Sequence, residues 1–254
     1  MTRTPLLLAL LALAATPAAA STAGAGFGLS VLVDGASRPE YADRGTFYVE
    51  ALRGRDYTLR ITNPLPVRVA VALSVDGLNT IDARHAPAWD SRKWVLGPYE
   101  SIVLEGWQVS GDSARKFVFT GEKDSYGARL GKTENLGVIE AVFYRERPRP
   151  VARDRFAPAA PSPWGEAAGS AAPAESSQKS AALSDDYAAT GMGGRTRHDV
   201  VEVRLDLDPT PAASLRIRYE FRPVLEALGV LPRPEDPLAR RERSRGYGAF
   251  CPER

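Results

Sequence analysis

VRVAVALSVDGLNTIDARHAPAWDSRKWVLGPYESIVLEGW, residues 67–107, decides the fold class. Its first nine residues alternate: Val67, Val69, Val71, Leu73 and Val75 fall on one face, with Arg68, Ala70, Ala72 and Ser74 on the other. Successive side chains of a strand point to opposite faces, so a period of two reads as β. Five branched residues on one side ask for a core, and the small residues opposite imply that the outer face is covered too. Asp76-Gly77 follows as a turn dipeptide. The chain returns through strands at Trp94–Leu96 and Ser101–Glu105 and a turn at Gly106-Trp107.

The same grammar extends outward. Leu29, Val31 and Val33 alternate up to Asp34-Gly35; Phe47, Val49 and Ala51 follow; Tyr57, Leu59 and Ile61 run until Asn63-Pro64 stops them. Phe117 and Phe119 alternate within Arg115–Thr120, and Leu136–Tyr144 is apolar on both faces except Glu140, which reads as a central strand. Helical periodicity is nearly absent. Residues 27–146 are expected to form an all-β antiparallel sandwich.

Residues 147–192 are rich in Pro, Ala, Ser and Gly, a composition expected to form a disordered linker. Residues 193–232 then read as a β-hairpin with a short helix, docked on the sandwich and completing it. Val201, Val203, Leu205 and Leu207 alternate with charges, as do Leu215, Ile217, Tyr219 and Phe221. Charge complementarity predicts Arg204 opposite Glu220, with Asp206 opposite Arg218. Pro223 starts a helix over Val224–Leu228 with Gly229 as its stop. Residues 233–254 read as a basic, disordered tail.

Residues 1–20 have the form of a signal peptide: Arg3, an apolar run from Leu6 to Ala15, and small residues Ala18–Ala20 before a cleavage point at Ser21. That run is shorter than the roughly 20 residues a bilayer requires, and no later stretch is apolar enough to anchor the chain. A periplasmic or extracellular location is the expectation. With 33 basic and 31 acidic residues the net charge is +2, which argues against nucleic acid or any general polyanion as partner. The single cysteine, Cys251, makes no internal disulfide.

Many short motifs occur in a fixed order: Tyr48-Val49-Glu50; Arg60-Ile61-Thr62-Asn63; Leu73–Asn79 (LSVDGLN); Leu96–Ser101 (LGPYES); Gly106-Trp107; Phe117–Thr120 (FVFT); Ser125-Tyr126; Asn135–Ile139 (NLGVI); Thr190–Gly193 (TGMG); and Ile217-Arg218-Tyr219. In this order the chain resembles an uncharacterised family of secreted bacterial β-rich proteins, over most of Tyr48–Val230 apart from the linker. The resemblance implies a single unit interrupted by a variable linker, and it carries no activity.

Catalytic signatures are weak. Asp76–Asp82 could offer oxygens to calcium, but Gly77 follows Asp76 at once and Leu78 and Ile81 interrupt the donors, so a turn fits better. His85 with Asp82 or Asp90 and Ser91 could form a hydrolase triad, yet no G-x-S-x-G elbow is present. Gly127–Thr133 is one residue short of a phosphate loop and precedes a strand rather than a helix. Trp94 and Trp107 read as packing residues, while Trp89 sits in a loop as a candidate contact. The expectation is a secreted, non-enzymatic β-sandwich protein with a binding or structural role at the envelope. Its binding residues would be Asp76, Asn79, Asp82, His85 and Trp89, with no cofactor and no metal. The partner is an envelope protein or polysaccharide; the alternatives are a carbohydrate-binding module and a hydrolase using His85.

Overall fold

The computed structural model of the protein describes residues 21–22, 26–147 and 183–233. Residues 1–20, read as a signal peptide, residues 148–182 of the expected linker and residues 234–254 of the expected tail lie outside these residues. In chain order the strands are β1 (Ser21–Thr22), β2 (Gly28–Val33), β3 (Ala36–Ser37), β4 (Glu40–Asp43) and β5 (Thr46–Ala51). Next come β6 (Asp56–Thr62), β7 (Val69–Val75), β8 (Leu78–Asn79), β9 (Trp94–Leu96) and β10 (Ser101–Leu104). The last are β11 (Gly106–Gln108), β12 (Ser113–Gly121), β13 (Val138–Arg145), β14 (Ala188–Arg197) and β15 (Ala213–Phe221). Two short α-helices, α1 (Tyr126–Arg129) and α2 (Arg222–Leu228), and a 3-10 turn at Glu122–Asp124 complete the elements of the described residues.

Two sheets pack face to face, so the chain is an all-β sandwich. One runs β4-β5-β15-β13-β7-β8 with β9 on the far edge of β7. The other runs β1-β2-β6-β12-β11, with β10 beside β6 and β14 beside β12. β10 and β11 are one bent strand that leaves β6 and crosses to β12. At the bend, a Cβ on Gly106 would lie 1.9 Å from the Arg115 carbonyl oxygen, so only glycine admits the approach.

The alternation in β7 is read out as expected. Val69, Val71, Leu73 and Val75 are fully buried in the interior, and Ala70 and Ala72 are covered on the outer face by neighbours that include Tyr144 and Val142. Val67 precedes the strand and is exposed. Between the sheets Tyr57 stacks on Phe119 at 4.1 Å, and Trp107 meets Phe117 edge-on at 5.2 Å. Burial of each such ring contributes about 2–3 kcal/mol before entropy is counted. β13 is central, between β15 and β7, as its two-sided apolar pattern predicts.

The C-terminal hairpin is the expectation that fails. Residues 201–206 form no strand, and 201–208 do not pair with β15; Leu207 makes only an isolated bridge to Glu146. β15 instead inserts between β13, antiparallel, and β5, parallel, so the sandwich is not wholly antiparallel. The physical reason is burial. Leu215, Ile217, Tyr219 and Phe221 are at most 6% exposed in that central slot, whereas Val201 stays 86% exposed. The charges of β15 find other partners: Arg216 lies opposite Glu140, and the pair bonds at 3.2 Å. The strand before β15 in sequence, β14, belongs to the other sheet and starts at Ala188, inside the stretch read as linker. Thr190 and Gly191 therefore belong to the fold, not to the linker. α2 ends as expected, with Gly229 left-handed at φ 79°.

Candidate functional site

Asp76 and Gly77 connect β7 to β8 by a two-residue turn, Val75 facing Leu78, with φ values of 52° and 73°. Positive φ at both central positions matches the twist of the strands it joins. A Cβ on Gly77 would come within 2.8 Å of the Asn135 side chain, so the turn is also packed against the approach to β13.

Asp76, read from sequence as part of a surface loop, is in the core at 2% exposure. Its side chain reaches past the turn: Oδ1 accepts the Gly137 amide at 2.9 Å and the Tyr219 hydroxyl, and Oδ2 accepts the Thr190 amide at 2.7 Å. Tyr219 gives its one proton to Asp76, so it accepts from Thr190 Oγ1 at 2.6 Å, and Thr190 in turn accepts from Tyr57 at 2.7 Å. The result is a directional chain of buried hydroxyls ending on a carboxylate. Burial pushes the Asp76 carboxyl up to about 7, and the bonds from Tyr219, Thr190 and Gly137 restrain the rise. Both carboxylate oxygens are occupied by protein donors, which leaves this residue a clasp between four segments rather than a ligand contact.

Asn79 is also buried and holds the loop that follows: Nδ2 donates to the Arg92 carbonyl at 2.8 Å, and Oδ1 accepts the Ile81 amide at 2.9 Å. Asp82 accepts the Arg84 amide at 3.1 Å in a local turn. His85 is exposed, and its Nδ1 faces the Gly77 carbonyl at 2.9 Å. A carbonyl only accepts, so Nδ1 carries the proton and Nε2 of the neutral ring is left as an acceptor. Ser91 donates to the Ala86 and Pro87 carbonyls. None of these bonds joins His85, Ser91 and an aspartate to one another.

Trp89 lies on the outer face of the sheet, 44% exposed, edge-on to Tyr144 at 5.2 Å. The Lys93 ammonium sits 5.3 Å from both ring centroids, and its own partial burial lowers its pKa. This is a cap over Tyr144.

Beside the turn, the outer face of the β8-β7-β13-β15 sheet and the loops at 84–91 and 134–136 enclose a polar pocket of about 400 Å³. Asn79 and His85 line it; Asp76, Asp82 and Trp89 do not. Its floor is a cross-strand row in which Asn79 faces Ser74, Ser74 faces Glu140 and Glu140 faces Arg216. Arg84 and Arg218 stand on its walls. Ser74, Glu140, Arg216 and Arg218 were not candidates from sequence. Alternation assigns each to a polar face, but only the pairing of β13 with β15 brings them together.

A larger cavity, about 640 Å³, lies between β9, β10 and the extended segment 198–207. It is lined by apolar side chains such as Ile102 and Leu104 together with Trp94 and His198. His198 and Gln108 lock the segment's start, with Nδ1 to Oε1 at 2.7 Å and Gln108 Nε2 to the His198 carbonyl at 2.9 Å. Among the described residues no group of three or more His, Cys, Asp or Glu side chains is placed to hold a metal ion, and no helix is long and apolar enough to cross a membrane. Neither a family model, nor a curated protein, nor a solved structure matches the chain.

Proposed function

We propose that the chain is a non-catalytic binding protein of the cell envelope, working in the periplasm or outside the cell, and that its ligand site is the polar pocket beside the Asp76-Gly77 turn. The observation that carries this reading is the pocket's construction. Its floor is a rigid four-strand sheet face, its rim is the 84–91 loop, and polar groups from six segments converge on one volume. Sites built on strands hold their side chains more closely than sites on loops. Ser91 and Asp82 are engaged with the local backbone, which favours binding over a His85-based hydrolysis. The export half of the proposal rests on residues 1–20 and on Ser21 of β1, the first residue after the small-residue cleavage point, which already pairs with Leu29 of β2.

The test is co-sedimentation of the purified mature chain with isolated envelope polysaccharide and peptidoglycan. Ser74→Trp fills the pocket from its floor, and thermal melting checks that the variant folds. Sedimentation of the wild type that Ser74→Trp abolishes supports the site. Equal sedimentation of both removes it, and no sedimentation of either removes the binding function. N-terminal sequencing of the exported form should read from Ser21.

A further inference from the structure

The outer sheet face that floors the pocket continues beyond Arg218. In the neighbouring row, Val138 faces Arg218, Arg218 faces Tyr48 across the parallel β15–β5 pair, and Tyr48 faces Tyr41 on β4. Facing residues in one row share one side of a sheet. Ile217 and Tyr219, on either side of Arg218, are buried in the interior, so this row lies on the outer face, the face that floors the pocket. Two half-exposed tyrosines thus continue the pocket sideways as a shelf.

The charges there are unequal in their commitments. Arg216 is paired to Glu140 at 3.2 Å. Arg84 and Arg218 are both exposed, both line the pocket, and neither closes an ion pair among the described residues, although Arg218 lies within the electrostatic reach of Glu220. With Arg216 and Glu140 paired, these two cations outnumber the one remaining carboxylate of the lining, Glu134. A guanidinium binds a carboxylate through two parallel bonds, and the amphipathic face of a tyrosine suits a sugar ring. A volume of about 400 Å³ is at the small end of ligand sites, enough for one or two sugar residues.

We propose that this pocket and shelf bind an acidic saccharide, with a sugar carboxylate held by Arg84 and Arg218 and the adjoining ring resting along Tyr48 and Tyr41. The inference rests on the binding function proposed above and adds the ligand's class. Ser74 and the Nε2 of His85 supply hydrogen bonds to hydroxyls in the pocket, while Asn79 holds the loop that forms its rim.

The experiment is titration calorimetry on the full mature chain with trisaccharides of galacturonate, mannuronate and glucuronate, with maltotriose as a neutral probe. The wild type should bind at least one uronate trisaccharide, with affinity falling as salt rises, and should ignore maltotriose. Arg84→Glu with Arg218→Glu should weaken that binding at least tenfold, whereas Arg204→Glu, outside the pocket, should leave it unchanged. Tyr48→Ala should weaken it less. Maltotriose bound as tightly as the uronates overturns the acidic assignment while leaving a binding pocket in place. An unaltered affinity in the double arginine variant overturns the site. No binding of any uronate overturns the inference, and the co-sedimentation result then decides separately whether the protein binds envelope material.

Discussion

Tyr219 donates its hydroxyl proton to the buried carboxylate of Asp76, joining the turn after β7 to a strand 143 positions later in the sequence. Thr190, on β14, donates its amide to the same carboxylate, so a single side chain of the first half fixes both strands that follow residues 148–182. Removing it should be costly. Asp76→Ala leaves the Gly137 and Thr190 amides and the Tyr219 hydroxyl without an acceptor, and each buried orphan costs about 1–3 kcal/mol. The urea midpoint should fall by the equivalent of about 3 kcal/mol or more, and Tyr219→Phe should lose about 1–2 kcal/mol. A midpoint for Asp76→Ala within 0.5 kcal/mol of wild type, by order of magnitude, would remove the clasp.

The same carboxyl sets a pH dependence. Its folded-state pKa is about 7, against 3.8 for the free group, so between those values the native state binds more protons than the unfolded state. Stability contributed by the protonated form is therefore full below about 4 and declines as pH rises through about 7, with a slope of at most about 1.4 kcal/mol per pH unit for one proton. Glu220, also raised by burial, contributes in the same direction. Chemical unfolding from pH 4 to 8 should show this decline in the wild type and a shallower one in Asp76→Asn, which has no proton to lose there. Parallel curves would exclude Asp76 as the titrating group.

Gly106 is expected to tolerate no side chain. A Cβ there would overlap the Arg115 carbonyl at 1.9 Å, and backbone cannot rotate away as a side chain can. Gly111, with nothing within 4 Å of an added Cβ, is the matched control. Gly106→Ala should fail to give a folded, soluble protein under conditions where Gly111→Ala melts within about 1 kcal/mol of wild type.

β14 and β15 fill positions in both sheets, so without them three strands of the first half, β5, β13 and β12, each lose a partner along one edge. Pieces 21–150 and 180–254, expressed separately, should each remain unfolded, and when mixed should recover the thermal transition. Recovery of a cooperative transition by the first piece alone would show that the sandwich closes without its C-terminal strands.

How much of this was legible beforehand follows from the range of each signal. The burial of β7, the Asp76-Gly77 turn and the centrality of β13 are encoded by neighbours in sequence, and alternation alone reveals them. The partner of β15 is not local. Its apolar face fits any slot with two open edges, and the charges of 202–208 offered a plausible mate that lies next to it in the chain. What decided the outcome was that the slot between β5 and β13 turns Ile217 and Tyr219 onto the opposite sheet, where both are completely buried, Tyr219 against Tyr57 and Phe119, which no pairwise charge pattern displays. The pocket was half legible for the same reason. Asn79 and His85 follow from the loop, whereas Arg216 and Arg218 reach it only through that long-range pairing.

A double-mutant cycle separates the two pairings. Arg216 and Glu140 face each other across β15 and β13 at 3.2 Å, with Arg216 largely solvated, so their coupling should be small, about 0.2–1 kcal/mol, and should shrink in high salt. Charge exchange, Glu140→Arg with Arg216→Glu, should recover most of what either single change loses. Arg204 and Glu220 would be cross-strand neighbours only if 201–208 paired with β15, and residues 201–206 form no strand. Their cycle, Arg204→Glu with Glu220→Arg, should therefore close to zero, because substitutions without shared partners add. Glu220→Arg alone should still be destabilising, since the carboxylate accepts the Ala188 amide at 3.0 Å, and Arg204→Glu should not rescue it. A rescue of Glu220→Arg by Arg204→Glu would place 201–208 beside β15 after all, and the pocket floor with it.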